Sequence, residues 1–311
     1  MSTANVLAKN RDHLEQLIRE TIKKDGPNCD LNFIDTSNIT DMSRLFGDPA
    51  FNRDLQEFNG NISKWDVSKV QNMRGMFFDS PFNGDISEWN VSNVNDMQSM
   101  FYGTPFNENL SRWDVSNVEY MQGMFFGTPF NGDISNWNVS KVKNMQSMFS
   151  ASKFNGDIGK WDVSHVQNMS WMFEQSAFNG DISGWKTDHL QDARAMFLNS
   201  ESERTGKAEK WLKHAYPILL ENATDFDGHV IALNREHLLT LIDAAVFLQG
   251  PNCDLNFIDV SNVNMMFNLF ENSPFNGDIS KWDVSNVTDM EEMFFDSALE
   301  KSKKLPKWYK E

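Results

Sequence analysis

Phe82-Asn83-Gly84-Asp85-Ile86-Ser87-Glu88-Trp89-Asn90-Val91-Ser92, followed by Val94, Met97, Met100 and Phe101, is the phrase on which the reading turns. It recurs. Tryptophan stands at Trp65, Trp89, Trp113, Trp137, Trp161 and Trp185, each 24 residues from the last. Ile34-Asp35-Thr36-Ser37 opens the series and precedes Trp65 by 31 residues, one repeat plus a seven-residue insertion around Gly47 to Glu57. A second, shorter series runs from Ile258-Asp259-Val260-Ser261 to Trp282-Asp283-Val284-Ser285. Self-similarity at a fixed period of this size is the mark of a stacked-repeat architecture.

Within one repeat, Val94, Met97, Met100 and Phe101 fall at i, i+3, i+6 and i+7, which predicts one face of an α-helix. Ser92 stands where a helix N-cap belongs, as do Ser68, Ser116, Ser140, Ser164, Ser261 and Ser285, with Asp188 as the substitute in the last repeat of the first series. Trp89 and Val91 alternate with Glu88 and Asn90, which predicts a short half-buried strand. Phe82-Asn83-Gly84-Asp85 supplies the turn. The expected fold class is therefore α/β, a leucine-rich-repeat-like right-handed solenoid of 24-residue strand–turn–helix coils with helical caps. The asparagine of the Phe-Asn turn recurs as Asn59, Asn83, Asn107, Asn131, Asn155, Asn179 and Asn276. It reads as a buried amide ladder meeting the backbone's hydrogen-bond demand.

The segment before the second series copies the N-terminus. Asn10-Arg11-Asp12-His13-Leu14 matches Asn234-Arg235-Glu236-His237-Leu238, and Gly26-Pro27-Asn28-Cys29 matches Gly250-Pro251-Asn252-Cys253. Arg11 to Lys24 and Arg235 to Leu248 read as capping helices. The expected organisation is a first domain over residues 1–225, with a capping helix, seven coils and a C-terminal cap or linker. A second domain over 226–311 holds another capping helix and two coils. Two coils fall short of the three that such stacks need, so the second unit leans on its helix, on the first array or on another chain, and self-association through residues 226–311 is one expectation.

The long phrase resembles the repeat of the BspA-type leucine-rich-repeat surface proteins, a repeat type also found in mycoplasma lipoproteins. It stands unbroken from Phe275 to Phe294. That resemblance implies a solenoid for protein binding, often in adhesion at a bacterial surface, and it supplies no catalytic residues.

Charge narrows the function. The 311 residues carry 44 acidic and 28 basic side chains, a formal charge of −16. A nucleic-acid binder needs a basic stripe to displace phosphate counterions, and an anionic lipid surface asks for the same sign, so neither partner is expected. No apolar run is long enough for membrane insertion. The start has no basic n-region followed by an apolar h-region, which points to the cytoplasm, with the cell surface as the alternative that the resemblance implies. Cys29 and Cys253 are too few for a disulfide scaffold and read as buried thiols. Among His13, His165, His189, His214, His229 and His237 there is no metal-spaced cluster. The Gly-Asp pairs lack the short period of calcium-binding repeats, so neither a metal nor another cofactor is expected.

The expected function is a non-enzymatic scaffold that recognises a protein partner through a repeated surface. A bacterial adhesin for host matrix or cell-surface ligands is the alternative, and a polysaccharide-acting solenoid enzyme built on paired carboxylates is a lesser one. Candidate contact residues form a strand-face ladder: Lys64, Asp66, Glu88, Asn90, Arg112, Asp114, Asn138, Lys160 and Asp162. Charge and neutrality alternate through Asp66, Asn90, Asp114, Asn138 and Asp162, which spaces like charges on a stack. Tyr120 and Trp171 replace small polar residues on outward positions and are the expected aromatic anchors.

Overall fold

In the computed structural model, residues 5–47 and 55–310 are described. Most of the insertion expected around Gly47 to Glu57 lies outside them. The chain divides into two units: Met1–Lys186 with Ala195–Glu209, and Thr187–Arg194 with Lys210–Glu311.

The first unit opens with β1 (Val6–Leu7), α1 (Arg11–Asp25) and β2 (Ile34–Asp35). β1 and β2 pair in parallel, Val6 opposite Ile34. α1 starts where Asn10, in extended backbone, accepts the His13 N–H on its side chain. It ends at Gly26, whose φ of 85° releases the chain from the helix. Leu14 and Ile18, one turn apart, are its buried face. The short α2 (Glu201–Arg204) and the start of α3 (Lys207–Asn222) close the unit's sequence.

Between β2 and α2, no helix or strand of the expected repeat forms in the described residues. The strand–turn–helix solenoid is therefore not the fold. Among the described residues the regular elements are helices and two separate two-stranded parallel sheets. The physical reason lies in where the N–H groups go. A helix sends each to the carbonyl four residues back. Here Val94, Met100, Tyr102 and Thr104 donate to Val91, Met97, Ser99 and Phe101, three residues back, making a run of turns. Alternate residues turn outward instead: Met97, Ser99, Phe101 and Gly103 donate to the carbonyls of Tyr120, Gln122, Met124 and Phe126 at 2.8–3.0 Å. Consecutive three-residue turns bury Val91, Val94, Met97 and Met100 just as a helix face would, so the two structures share an apolar period. Ser99 (φ 53°) and Gly103 (φ 68°) lie in the left-handed region, which a right-handed helix does not visit.

The expected strand fails in the same way. Trp89 donates its N–H to Ile86, again three back. Its indole does the linking, donating Nε1–H to the Ile62 carbonyl at 3.2 Å. Trp113, Trp137, Trp161 and Trp185 repeat this bond to Ile86, Leu110, Ile134 and Ile158 at 2.9–3.1 Å. Isolated parallel bridges join Asn72, Asp96, Tyr120, Asn144 and Asn168 in succession. The buried phenylalanines stack between these turns. Phe77 and Phe82 lie 3.9 Å apart, Phe101 and Phe106 4.0 Å, and Phe125 and Phe130 4.2 Å. Such offset ring pairs contribute about 0.5–1.5 kcal/mol each beyond their buried area.

Asparagine does form a ladder, but on the surface rather than in the core. The N–H groups of Asn83, Asn107, Asn131, Asn155 and Asn179 each donate to the Oδ1 of the asparagine 24 residues earlier at 2.8–2.9 Å.

The second unit holds most of α3, then β3 (Val230–Ile231), α4 (Arg235–Gln249), β4 (Ile258–Asp259) and α5 (Ala298–Lys301). β3 and β4 pair in parallel. Trp282 and Trp308 donate Nε1–H to the Leu255 and Ile279 carbonyls. Both units need a glycine at one close approach: a Cβ on Gly60 would strike the Cys29 carbonyl, and one on Gly277 the Cys253 carbonyl. Both cysteines are buried free thiols.

Candidate interaction surface

The ladder residues divide by the work they do. Asp66, Asn90, Asp114, Asn138 and Asp162 are exposed, yet each is tied to its own backbone. Their Oδ1 atoms accept the N–H groups of Ser68, Ser92, Ser116, Ser140 and Ser164 at 3.0–3.2 Å. This is an Asx turn, in which a short polar side chain replaces the next carbonyl. It reverses the expected direction of capping: the serine N–H is capped, and the residue two before it is the cap. It also explains why aspartate and asparagine interchange there, since either supplies Oδ1.

The Ser68, Ser116 and Ser164 hydroxyls, with the backbone N–H groups, hold the carboxyls of Asp66, Asp114 and Asp162 below the ordinary aspartate range. A general acid needs the opposite shift. The raised carboxyl lies elsewhere, at Asp243 in the second unit. Burial pushes it up to about 6, Arg194 pulls it down and Asp192 pushes it up. Asp243 keeps an exposed face although protein crowds it, and the open face governs how strongly that environment acts.

Lys64, Glu88, Arg112 and Lys160, the charged members of the neighbouring series, are also exposed and carry no such duty through their side chains. Arg112 Nη1 meets Glu88 Oε1 at 2.5 Å, between groups about 70% exposed. Exposed pairs of this kind contribute about 0–1 kcal/mol. Lys64 also lines a cavity of about 780 Å³ with Leu17, Glu20, Lys24 and Asp30. These charges share one outward series, and no group of three or more His, Cys, Asp and Glu able to hold a metal occurs among the described residues.

Tyr120 is 39% exposed, within the bridge series between Asp96 and Asn144. Trp171 is half-buried with φ 55°, at the position that Gly75, Ser99, Gly123 and Ser147 occupy in other repeats. A left-handed tryptophan is unusual, because its Cβ crowds the following carbonyl.

A different aromatic series escaped the sequence reading. Phe78, Tyr102 and Phe126 are half-buried and stacked at 4.7 and 4.3 Å. Their spacing of 24 residues was the available signal. Each directly follows a core phenylalanine, which masked it as part of an apolar pair.

The second unit carries a buried ionic cluster. Asp192 accepts from Arg194 Nε at 2.9 Å and Nη2 at 2.7 Å, and from Thr240 Oγ1 at 3.1 Å. Arg194 also contacts Glu236. The Asp192 and Arg194 side chains are only 7% and 11% exposed.

A model of the family described as "Mycoplasma protein of unknown function, DUF285" matches residues 14–129, 104–211 and 219–310. No curated protein and no solved structure matches the chain. The match replaces the resemblance to BspA-type leucine-rich-repeat proteins, which the turns in place of strands and helices also contradict. By this match over most of its length, the chain belongs to the DUF285 family.

Proposed function

We propose that the chain is a non-catalytic scaffold that recognises a protein partner through the exposed charged series of its first unit. One observation carries this reading. Backbone support and outward display are assigned to different residues of each repeat. Asp66, Asp114 and Asp162 hold turns, whereas Lys64, Glu88, Arg112 and Lys160 are exposed and vary in sign without cost to a turn. A surface that varies on a constant backbone suits recognition, in which charge arrangement selects the partner. The lowered carboxyls at Asp66, Asp114 and Asp162 add support, because they suit turn support and salt contacts better than proton transfer.

The test follows the same division. Lys64→Glu, Glu88→Lys and Lys160→Glu are combined in one protein. Affinity capture from cell lysate and from extracellular-matrix extract is compared with the unaltered chain. Saturable protein partners held by the unaltered chain and lost by the triple variant, at unchanged Tm, support the reading. Equal retention by both, or no saturable protein with either, rejects it.

A further inference from the structure

β1 and β3 are copies that differ in what lies on their outer edge. Val6 sits opposite Ile34, and its counterpart Val230 sits opposite Ile258 in the same parallel register. The Val6 and Ala8 N–H groups donate to the Phe33 and Asp35 carbonyls, so the Leu7 N–H and carbonyl between them face away from β2. On β3 that same edge is covered. The Ile231 N–H donates to the Ala223 carbonyl at 2.9 Å, and Thr224 bridges Val230 in the antiparallel sense. On β1, among the described residues, the Leu7 N–H and carbonyl have no such backbone partner. The side chains differ accordingly: Val230 is 8% exposed, whereas Val6 is 36% and Leu7 45% exposed. An open strand edge flanked by apolar side chains is a template for another strand. The covered copy shows that the added strand runs antiparallel.

We propose that the β1 edge is a self-association site, which pairs antiparallel with β1 of a second copy about a two-fold axis at Leu7. Identical edges that meet antiparallel close on themselves, with one patch serving both copies. Leu7 of each copy then donates its N–H to the Leu7 carbonyl of the other, the exchange that defines a hydrogen-bonded antiparallel pair. Val6 faces Ala8, which brings apolar side chains together. Charge favours this register. Lys9 is the one charged residue from Asn5 to Lys9, and each Lys9 falls opposite Asn5 rather than the other lysine. The pairing therefore sets no like charges face to face, in a chain whose formal charge of −16 opposes contact elsewhere.

Sedimentation equilibrium of the full chain tests this, from about 10 μM to about 1 mM because a contact this small is weak. The expected result is a mass that rises with concentration toward that of a dimer, while exchange of the Leu7 amide slows. Leu7→Pro removes the outward donor but leaves the Val6 and Ala8 bonds to β2, and proline is accepted on a strand edge. Leu7→Lys keeps the N–H and sets two positive charges at the axis. Each should weaken association by about tenfold or more at unchanged Tm. Leu233→Lys gives the second unit the residue that the first carries as Lys9 and removes a leucine that is 51% exposed, and it should leave association unchanged. A monomer at every concentration, association untouched by both Leu7 variants, or association lost equally in Leu233→Lys would each overturn the proposal. So would a Leu7 amide already slow to exchange in the dilute monomer, which would show that the chain covers this edge itself.

Discussion

α1 and α4 begin and end alike but live in different surroundings. Asn10 and Asn234 cap them with nearly the same backbone angles, φ −161° and −163°, and both accept an N–H from the histidine three residues on. His13 and His237 reciprocate, each taking on Nδ1 the N–H of the residue before the cap at 3.2 Å. This resembles a capping box, with histidine in place of glutamate and the return bond made to the residue before the cap. Gly26 and Gly250 end the helices at φ 85° and 89°. Beyond the caps the likeness stops. α1 buries Leu14 and Ile18, whereas α4 buries His237, Leu238, Thr240, Leu241, Ile242, Ala244 and Ala245. Arg11 reaches Asp41 and Ser43, polar and half-buried. Arg235 donates instead to the Phe267 carbonyl and lies 4.0 Å over its ring. Helix ends are thus set by a few local residues, while the environment of a helix face is set by what the rest of its unit brings against it.

Breaking the Asp192–Arg194 pair should have the largest effect. Arg194→Met leaves the Asp192 carboxylate buried beside Thr240 with its strongest donor gone, at a cost of about 3–5 kcal/mol. The double variant Asp192→Asn with Arg194→Met should recover much of that, because no charge is left uncompensated. The matching change on the exposed helix, Arg11→Met, should cost about 1 kcal/mol or less, since its partners are partly solvated. Urea unfolding of all three variants measures the difference. Equal costs for Arg194→Met and Arg11→Met would show that the two helices are not held in different ways.

A smaller effect distinguishes the two helices by pH. Burial lowers the pKa of His237, against a weaker upward pull from Asp192. In the window below the ordinary histidine value of about 6.5, the unfolded chain binds the proton first. Stability is therefore whole above that value and falls as the pH drops toward the lowered one. Asp243 acts with the opposite sign: its carboxyl is raised to about 6, so it costs stability as the pH climbs from the ordinary aspartate range through 6. Arg194, Asp192 and Glu236 share this region and stay fixed in the comparison. His237→Asn should flatten the loss of Tm between pH 7 and 5, while Asp243→Asn should raise Tm at pH 7 by the equivalent of about 1 kcal/mol, discounted for its open face. An unchanged pH slope in His237→Asn would mean that the imidazole is not protected from protonation in the folded state.

Much of this was legible from particular residues. The apolar face Leu14, Leu17, Ile18 and Ile22, with the copy of this segment 224 residues on, predicts helices over Arg11 to Lys24 and Arg235 to Leu248, and α1 and α4 follow those bounds within a residue. The spacing of Trp89, Trp113 and Trp137 predicted that they would share one role, and each indole does reach a carbonyl 27 residues earlier. The conformation inside the repeat was not legible. Val94, Met97 and Met100 carry a three-residue step that a helix and a run of turns both satisfy, and only the destination of the N–H groups separates them. Ser92 in front of that step then looked like a cap, although Asn90 Oδ1 is the acceptor.

The smallest effect concerns those left-handed positions, and it compares the repeats of the two units directly. Ser99 in the first unit and Asn268 in the second both sit at φ 53°. Asparagine tolerates this region because its short amide can bond locally, whereas serine does so less readily. Ser99→Gly removes the clash of Cβ with the following carbonyl but loosens the unfolded chain, so the net gain should be about 0.5 kcal/mol. Asn268→Gly starts from a residue already suited to the angle and should gain less or lose slightly. Thermal unfolding of the two variants measures both. The order matters more than the size: a larger gain at Asn268 would mean that contacts of the Ser99 hydroxyl, which lies near Gly123, outweigh backbone strain in the first unit.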